Sequence, residues 1–124
     1  MKPGITRILL ADDNPAIRSA LTLLLETRLN VQIVGEADSM ENLLPCVTRL
    51  QPDLVILDWE LTGKPEKDRV AQLRAFSPTL KVVLTSSRPE IAQQAQAVQA
   101  DSYVCKSQPP EQVVHVIQTI MDLL

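Results

Sequence analysis

Aromatic residues are almost missing from this chain: one Trp, one Tyr and one Phe in 124 residues. The core must therefore be assembled from Leu, Val, Ile and Ala. Glycine is nearly as scarce, with Gly4, Gly35 and Gly63 only. Three scattered glycines cannot form the Gly-rich loop that cradles a phosphate in nucleotide-binding Rossmann modules. Soft metal ligands are too few for a zinc site, since Cys46, Cys105 and His115 are all there is. One disulfide is arithmetically available, but two thiols in an intracellular domain are expected to stay reduced. None of these three residues is assigned a role. Basic charge is not in excess either. The formal net charge is −3, and no helix carries a basic stripe, which argues against a direct grip on nucleic acid. No apolar run is long enough to span a membrane, and Met1-Lys2-Pro3-Gly4 does not lead into a signal-peptide core. A cytoplasmic location is the expectation.

What is present is 45% hydrophobic residues, enough for one folded domain over residues 1–124 with a continuous core. There are no internal repeats, low-complexity tracts or linkers. Strand-like and helix-like stretches alternate along the chain. Ile5–Ala11 reads as a strand buried on both faces. Asn14 can cap a helix with Pro15 at its first position, where the missing N–H costs nothing. Ile17, Leu21, Leu24 and Leu25 continue that helix at 3.6-residue spacing to about Arg28.

Val31–Gly35 reads as a second strand, and Ser39 to Leu50 as a second helix weakened by the internal Pro45. Asp53–Asp58 follows as the third strand, then a loop containing Gly63 and Pro65. Val70, Leu73 and Phe76 suggest a third helix. Leu80–Thr85 is the fourth strand, Pro89 opens a helix carrying Ile91, Ala95 and Val98, and Ser102–Cys105 is a short fifth strand. Pro110-Glu111 starts the last helix, with Val113, Val114, Ile117, Ile120 and Leu124 on its inner side. Five strands alternating with five helices predict a flavodoxin-like α/β fold. Its doubly wound parallel five-stranded sheet has the order 2-1-3-4-5, with its crevice between the first and third strands.

The apolar strands end in polar residues. Asp12 and Asp13 follow Ile8-Leu9-Leu10-Ala11, Asp58 follows Leu54-Val55-Ile56-Leu57, Thr85 follows Val82-Val83-Leu84, and Lys106 follows Tyr103-Val104-Cys105. In an open parallel sheet these ends converge where ligands bind. Three adjacent carboxylates need a cation to offset their repulsion, and Mg²⁺ suits an all-oxygen donor set. A carboxylate can also serve as nucleophile toward phosphorus, with metal and lysine compensating the equatorial charge. Blander roles exist beside these. Asp12 and Asp13 could cap the first helix, Ser86 or Ser87 could stand in for Thr85, and Tyr103 could be a packed strand aromatic.

These four segments, in this order, resemble the receiver domains of two-component response regulators over essentially the whole chain. The resemblance implies that Asp58 is the phosphoacceptor, Asp13 a direct Mg²⁺ ligand, and Asp12 a ligand acting through a bound water. It also implies that the backbone carbonyl of Glu60 completes the protein's metal ligands and that Lys106 pairs with the phosphoryl group. Thr85 would turn toward that group once attached, and Tyr103 would move inward with it. A histidine kinase or phosphotransfer protein is the implied donor. A phosphorylation-dependent homodimer and a downstream DNA-binding output domain, absent from this chain, are the further partners the family suggests.

Three residues depart from the family pattern. Ser107 replaces the proline that often follows the lysine, and since a cis bond before a non-proline costs roughly 2.5–4 kcal/mol, a trans Lys106–Ser107 bond is predicted. That departure suggests the branch preceding LuxR-type DNA-binding domains. Thr62 stands where proline is usual, which predicts a less rigid loop after the acceptor. Glu60 adds a negative side chain at the rim, expected to alter the lifetime of phosphorylation. Trp59 is expected to be partly exposed and to report Mg²⁺ by fluorescence. Gln93, Gln94 and Gln96 should form a solvated helix face. Two other functions share much of this pattern: a pseudo-receiver that binds partners without phosphorylation, and a Mg²⁺-dependent phosphohydrolase working through an aspartyl phosphate. The second normally has an additional acid near the nucleophile and a cap domain, and neither is seen here.

Overall fold

The computed structural model describes residues 4–63 and 68–124. Pro65 of the loop after the third strand and the first three residues lie outside that set. Five strands alternate with five helices: β1 (Thr6–Ala11), α1 (Pro15–Arg28), β2 (Val31–Ala37), α2 (Met40–Leu50), β3 (Leu54–Asp58), α3 (Arg69–Phe76), β4 (Lys81–Ser86), α4 (Ile91–Ala97), β5 (Ser102–Cys105) and α5 (Pro110–Met121). The sheet is parallel with the order β2-β1-β3-β4-β5, as the alternation predicts.

The low aromatic content shows in how the two layers are filled. On one face Leu9, Val55, Leu57, Val82 and Leu84 pack against α2, α3 and α4. On the other Ile8, Leu10, Leu54, Ile56, Val83 and Val104 pack against Leu25 of α1 and Ile117 and Ile120 of α5. Side chains alternate between faces along each strand. Both faces are covered, so β3 is buried at every residue, as expected for a central parallel strand.

Helix starts follow local chemistry. The Asn14 side chain accepts from the amides of Ala16 and Ile17, and Pro15 takes the first helical position. Ser39 caps α2 by accepting from the Asn42 amide. That helix runs through Pro45, which is exposed, so the carbonyl that proline leaves unpaired can be served by water.

Some element ends differ from expectation. β2 extends to Ala37, α4 begins at Ile91 after a turn at Pro89, and α5 ends at Met121, short of Leu124. Phe76 is half-exposed rather than packed inward, at the very end of α3, whereas Val70 and Leu73 are buried.

In the described part of the loop after β3, Thr62 is tied to the start of α2. The Thr62 carbonyl accepts the Met40 amide at 2.8 Å, and Thr62 bridges to Ser39. Gly63 sits at φ +130°, where a Cβ would come within 2.7 Å of the Met40 Cβ. Only glycine permits that close approach.

Candidate functional site

The alternation of side chains decides which strand-end residues meet. Asp12 follows Leu10 by two residues, Asp58 follows Ile56, Thr85 follows Val83 and Lys106 follows Val104. All four therefore continue the face that packs on α1 and α5, at paired ends of adjacent strands (Asp58 beside Thr85, for example). Ser86, Tyr103 and Cys105 fall on the opposite face by the same count. Asp13 stands just past β1, exposed, at the mouth of the site.

Asp12 and Asp58 are buried, each 4% exposed. Among the described residues, Asp12, Asp13 and Asp58 bring one carboxylate oxygen each to within 4.8 Å of one another. The Lys106 ammonium lies 2.7 Å from Asp12 Oδ2 and 3.4 Å from Asp58 Oδ2. The remaining lone pairs are partly served by the backbone: the Asn14 amide donates to Asp12 Oδ1 at 2.9 Å, and the Glu60 amide to Asp58 Oδ1 at 3.1 Å. Three carboxylates against one ammonium still leave two negative charges in a poorly solvated pocket.

That imbalance appears in the proton affinities. Loss of hydration pushes the Asp58 carboxyl above its ordinary 3.8, and the charge of Asp12 adds to this against the opposing effects of the Glu60 amide and Lys106. Burial alone would lower the Lys106 pKa. The hydrogen bond to Asp12 and the charges of Asp58 and Asp12 outweigh it, and the pKa is raised. Lys106 is therefore a fixed cation at neutral pH. An all-oxygen donor set with excess negative charge fits a hard divalent cation and excludes a soft-ligand site.

Several groups hold the site in shape without being visible as motifs. The Arg18 guanidinium, one turn into α1, donates to the Asp12 carbonyl at 2.6 Å and pairs with Glu36 at 2.7 Å. It thereby ties the end of β1 to β2. The Trp59 amide donates to the Thr85 carbonyl at 2.8 Å, and Arg69, itself buried, donates to the Trp59 carbonyl at 2.9 Å. Trp59 is buried rather than partly exposed, at 6%, since it turns to the α2–α4 side and joins that core.

The Glu60 side chain is engaged on the opposite face of the sheet from Asp58. It accepts from the Ser86 hydroxyl at 2.9 Å and faces Arg88 at 3.9 Å. Tyr103 donates to the carbonyls of Arg88, at 2.7 Å, and Ser86, at 3.3 Å, and burial pushes its phenol up to about 12. Arg18 and this Glu60–Ser86–Arg88 group left little trace in the sequence. Only the spacing of Arg18 four residues beyond Asn14 points it toward the site.

The chain after Lys106 turns tightly, with the Gln108 amide donating to the Cys105 carbonyl at 3.0 Å and Ser107 Oγ lying 3.0 Å from Cys105 Sγ. That contact with Ser107 lowers the Cys105 thiol pKa. The Lys106–Ser107 bond is trans, as predicted, since no cis peptide occurs among the described residues. Both cysteines are free thiols, His115 is exposed on α5, and Gln93, Gln94 and Gln96 are solvated.

Comparison with known proteins points the same way. A model of the response regulator receiver domain matches residues 8–118. The chain is 26% identical over 115 residues to the transcriptional regulatory protein DesR of Bacillus subtilis, covering 93% of this chain and 58% of that protein. It is 30% identical over 112 residues to the nitrate/nitrite response regulator NarL of Escherichia coli K12, covering 89% and 52%. The chain thus spans about half the length of these relatives. A LuxR-family two-component response regulator from Aurantimonas sp. SI85-9A1 superposes with a TM-score of 0.87 at 26% identity, covering 96% of this chain and 86% of that one.

Proposed function

The chain belongs to the response regulator receiver family, and from that premise we propose that residues 1–124 act as one phosphoacceptor switch, with Asp58 as the residue modified. The observation that carries this reading is the meeting of Asp12, Asp13, Asp58 and Lys106 at one sheet end, with opposite charges 2.7 and 3.4 Å apart. Asp13 and Asp58 would bind Mg²⁺ directly, Asp12 through water, and the Glu60 carbonyl would supply a further oxygen. A divalent cation held by these residues would offset the surplus negative charge and supply Lewis acidity toward phosphoryl oxygens.

In the transfer, an Asp58 carboxylate oxygen forms a P–O bond as the donor's P–N bond breaks, and the electron pair leaves with the imidazole nitrogen of a phosphohistidine. Lys106 holds charge on an equatorial oxygen. Thr85, on the same sheet face as Lys106, supplies a hydroxyl to the attached phosphoryl group. Tyr103 is now engaged with the loop after β4, and release of that contact would let it move inward with Thr85. The donor is a histidine kinase or phosphotransfer protein, and the output is a changed protein-binding surface near α4. A phosphorylation-dependent homodimer and a DNA-binding output domain belong to the same proposal. Among the described residues no helix is long and apolar enough to cross a membrane, which is compatible with a cytoplasmic partner.

A pseudo-receiver without phosphorylation would share the fold, and a phosphohydrolase would share the nucleophile. Titration of Trp59 fluorescence separates them from the switch. Saturable quenching by Mg²⁺, followed by a further Mg²⁺-dependent change on adding beryllofluoride as a phosphoryl mimic, is expected of a receiver. Absence of the second change would favour the pseudo-receiver. Multiple turnover of a phosphate ester would favour the hydrolase.

A further inference from the structure

The α1/α5 face of the sheet is not filled up to the row of site residues. Between α1 and α5 lies a cavity of about 290 Å³. Ile56, Val83 and Val104 line it and are at most 3% exposed, so it reaches the sheet itself. Leu21 of α1 and Ile117 of α5 also line it. Thr85 and Lys106 line it too, and each stands two residues beyond a floor residue of its own strand. Ala20 and Pro110, both exposed lining residues, mark the opening.

We propose that this cavity is a binding site for a compact, neutral, largely apolar molecule carrying one hydrogen-bonding group, seated beneath the Thr85–Lys106 end of the acidic site. The lining sets the apolar character, because a polar ligand would lose hydration against Ile, Leu and Val without recompense. The volume corresponds to about ten water-sized groups at about 30 Å³ each, which suits a fused two-ring system. A partner helix, about 10 Å across with its side chains, cannot enter between α1 and α5 to reach the sheet. The depth of the cavity, whose floor is the sheet itself, therefore selects a small molecule over a helix of a second copy.

Neutrality follows from Lys106, whose ammonium is already engaged by Asp12 at 2.7 Å and Asp58 at 3.4 Å. An added anion at that end would meet two carboxylates. The polar group follows from what that end offers, namely the Thr85 hydroxyl and the Gln108 side-chain amide, each able to donate and to accept. A ligand so placed touches two residues of the acceptor site, and linkage makes any bias it exerts there reciprocal. That consequence rests on the receiver reading above; the binding itself does not.

The test is a titration of the full chain with 1-naphthol, followed by methyl NMR of the Ile, Leu and Val side chains. Saturable shifts are expected at Ile56, Val83, Val104 and Ile117, with Leu9, Val55 and Leu84 on the opposite face unmoved. Ala20→Trp, at an exposed helix position, should close the opening and abolish them. Val113→Phe, another lining position, should weaken them and guards against a single misfolded variant. Sodium 1-naphthoate should bind about tenfold more weakly, since its carboxylate is unpaired near like charge. The naphthol titration needs neither Mg²⁺ nor a phosphodonor, so saturable shifts are expected even of a chain that acetyl phosphate fails to label, which separates this inference from the phosphoacceptor assignment. Shifts that fail to saturate, that spread over both faces, or that survive both blocking variants would overturn the proposal. Cavity-methyl shifts that follow protein concentration without the probe would overturn it in favour of a second copy.

Discussion

The Glu60 carboxylate accepts a hydrogen bond from the Ser86 hydroxyl at 2.9 Å, joining the loop after β3 to the end of β4. Ser86 Oγ in turn accepts the Arg88 amide at 3.1 Å, and Tyr103 holds the Arg88 carbonyl from β5. Three strand ends are thus linked on the face opposite Asp58, while the Glu60 amide serves the Asp58 carboxylate on the other. Movement near Asp58 therefore has a direct mechanical route to the segment leading into α4.

The Glu60–Ser86 bond should be measurable as a coupling. Ser86 is fully buried and Glu60 about half exposed, so the interaction is a neutral-to-charged hydrogen bond at a partly wet edge. A double-mutant cycle of Glu60→Ala and Ser86→Ala should give a coupling energy of about 1 kcal/mol in urea unfolding. The Arg88 contact, longer and exposed, should add little. Additive single-variant effects would show that the two loops are not linked. If Glu60→Ala also left both phosphorylation and dephosphorylation rates unchanged, Glu60 would have no part in the switch.

Asp58 should carry a cost in stability. Its folded pKa lies above the ordinary 3.8, so the native state binds its proton more tightly than the unfolded state. The group's contribution is then favourable below 3.8 and is lost as pH rises through the raised value. Without Mg²⁺, Asp58→Asn should stabilise the fold at pH 7. The gain should fade on acidification and vanish below pH 3.8. A gain that persists unchanged at low pH, or a loss at pH 7, would contradict the electrostatics of the site.

Lys106 offsets two buried carboxylates. Lys106→Met keeps much of the stem but leaves Asp12 and Asp58 facing each other uncompensated, which should cost about 3 kcal/mol in metal-free buffer. Millimolar Mg²⁺ should return most of that loss, because a cation in the acidic cluster replaces the missing charge. Thermal unfolding with and without Mg²⁺ reads both effects, and a loss insensitive to Mg²⁺ would place the lysine's role in packing alone.

Arg18 should support the candidate metal site from outside it. It fixes the Asp12 carbonyl at 2.6 Å and touches none of the three carboxylates of the cluster. Arg18→Ala should weaken Mg²⁺ binding by about tenfold, the lower end for outer-shell partners, in a Trp59 fluorescence titration. The far-UV circular dichroism should be unchanged. Unaltered affinity would leave Arg18 only its surface pairing with Glu36.

The sequence made the architecture legible because helical and strand periods alternate cleanly, and because Asn14, Pro15 and Pro110 mark helix starts. The strand-end residues could be placed together for the same reason. The two-residue alternation puts Asp12, Asp58, Thr85 and Lys106 on one face and Tyr103 and Ser86 on the other. What escaped were consequences of tertiary contact. Trp59 looked like a rim residue, but its alternation turns it into the α2–α4 core. Thr62 lacks proline's stiffness, yet its carbonyl is pinned by Met40. Glu60 carries a charge toward the rim, and its partners Ser86 and Arg88 are 26 and 28 positions away, beyond the reach of local pattern. Phe76 fits helical spacing, but α3 ends there and leaves it half-exposed.

The most direct test of the account is intact-mass measurement after incubation with a small phosphodonor such as acetyl phosphate. The chain should gain one phosphoryl group with Mg²⁺, none after chelation, and none in Asp58→Asn under either condition. Labelling of Asp58→Asn at the level of the unaltered chain would contradict the assignment of Asp58. No labelling of the unaltered chain by any donor would contradict phosphorylation as its function.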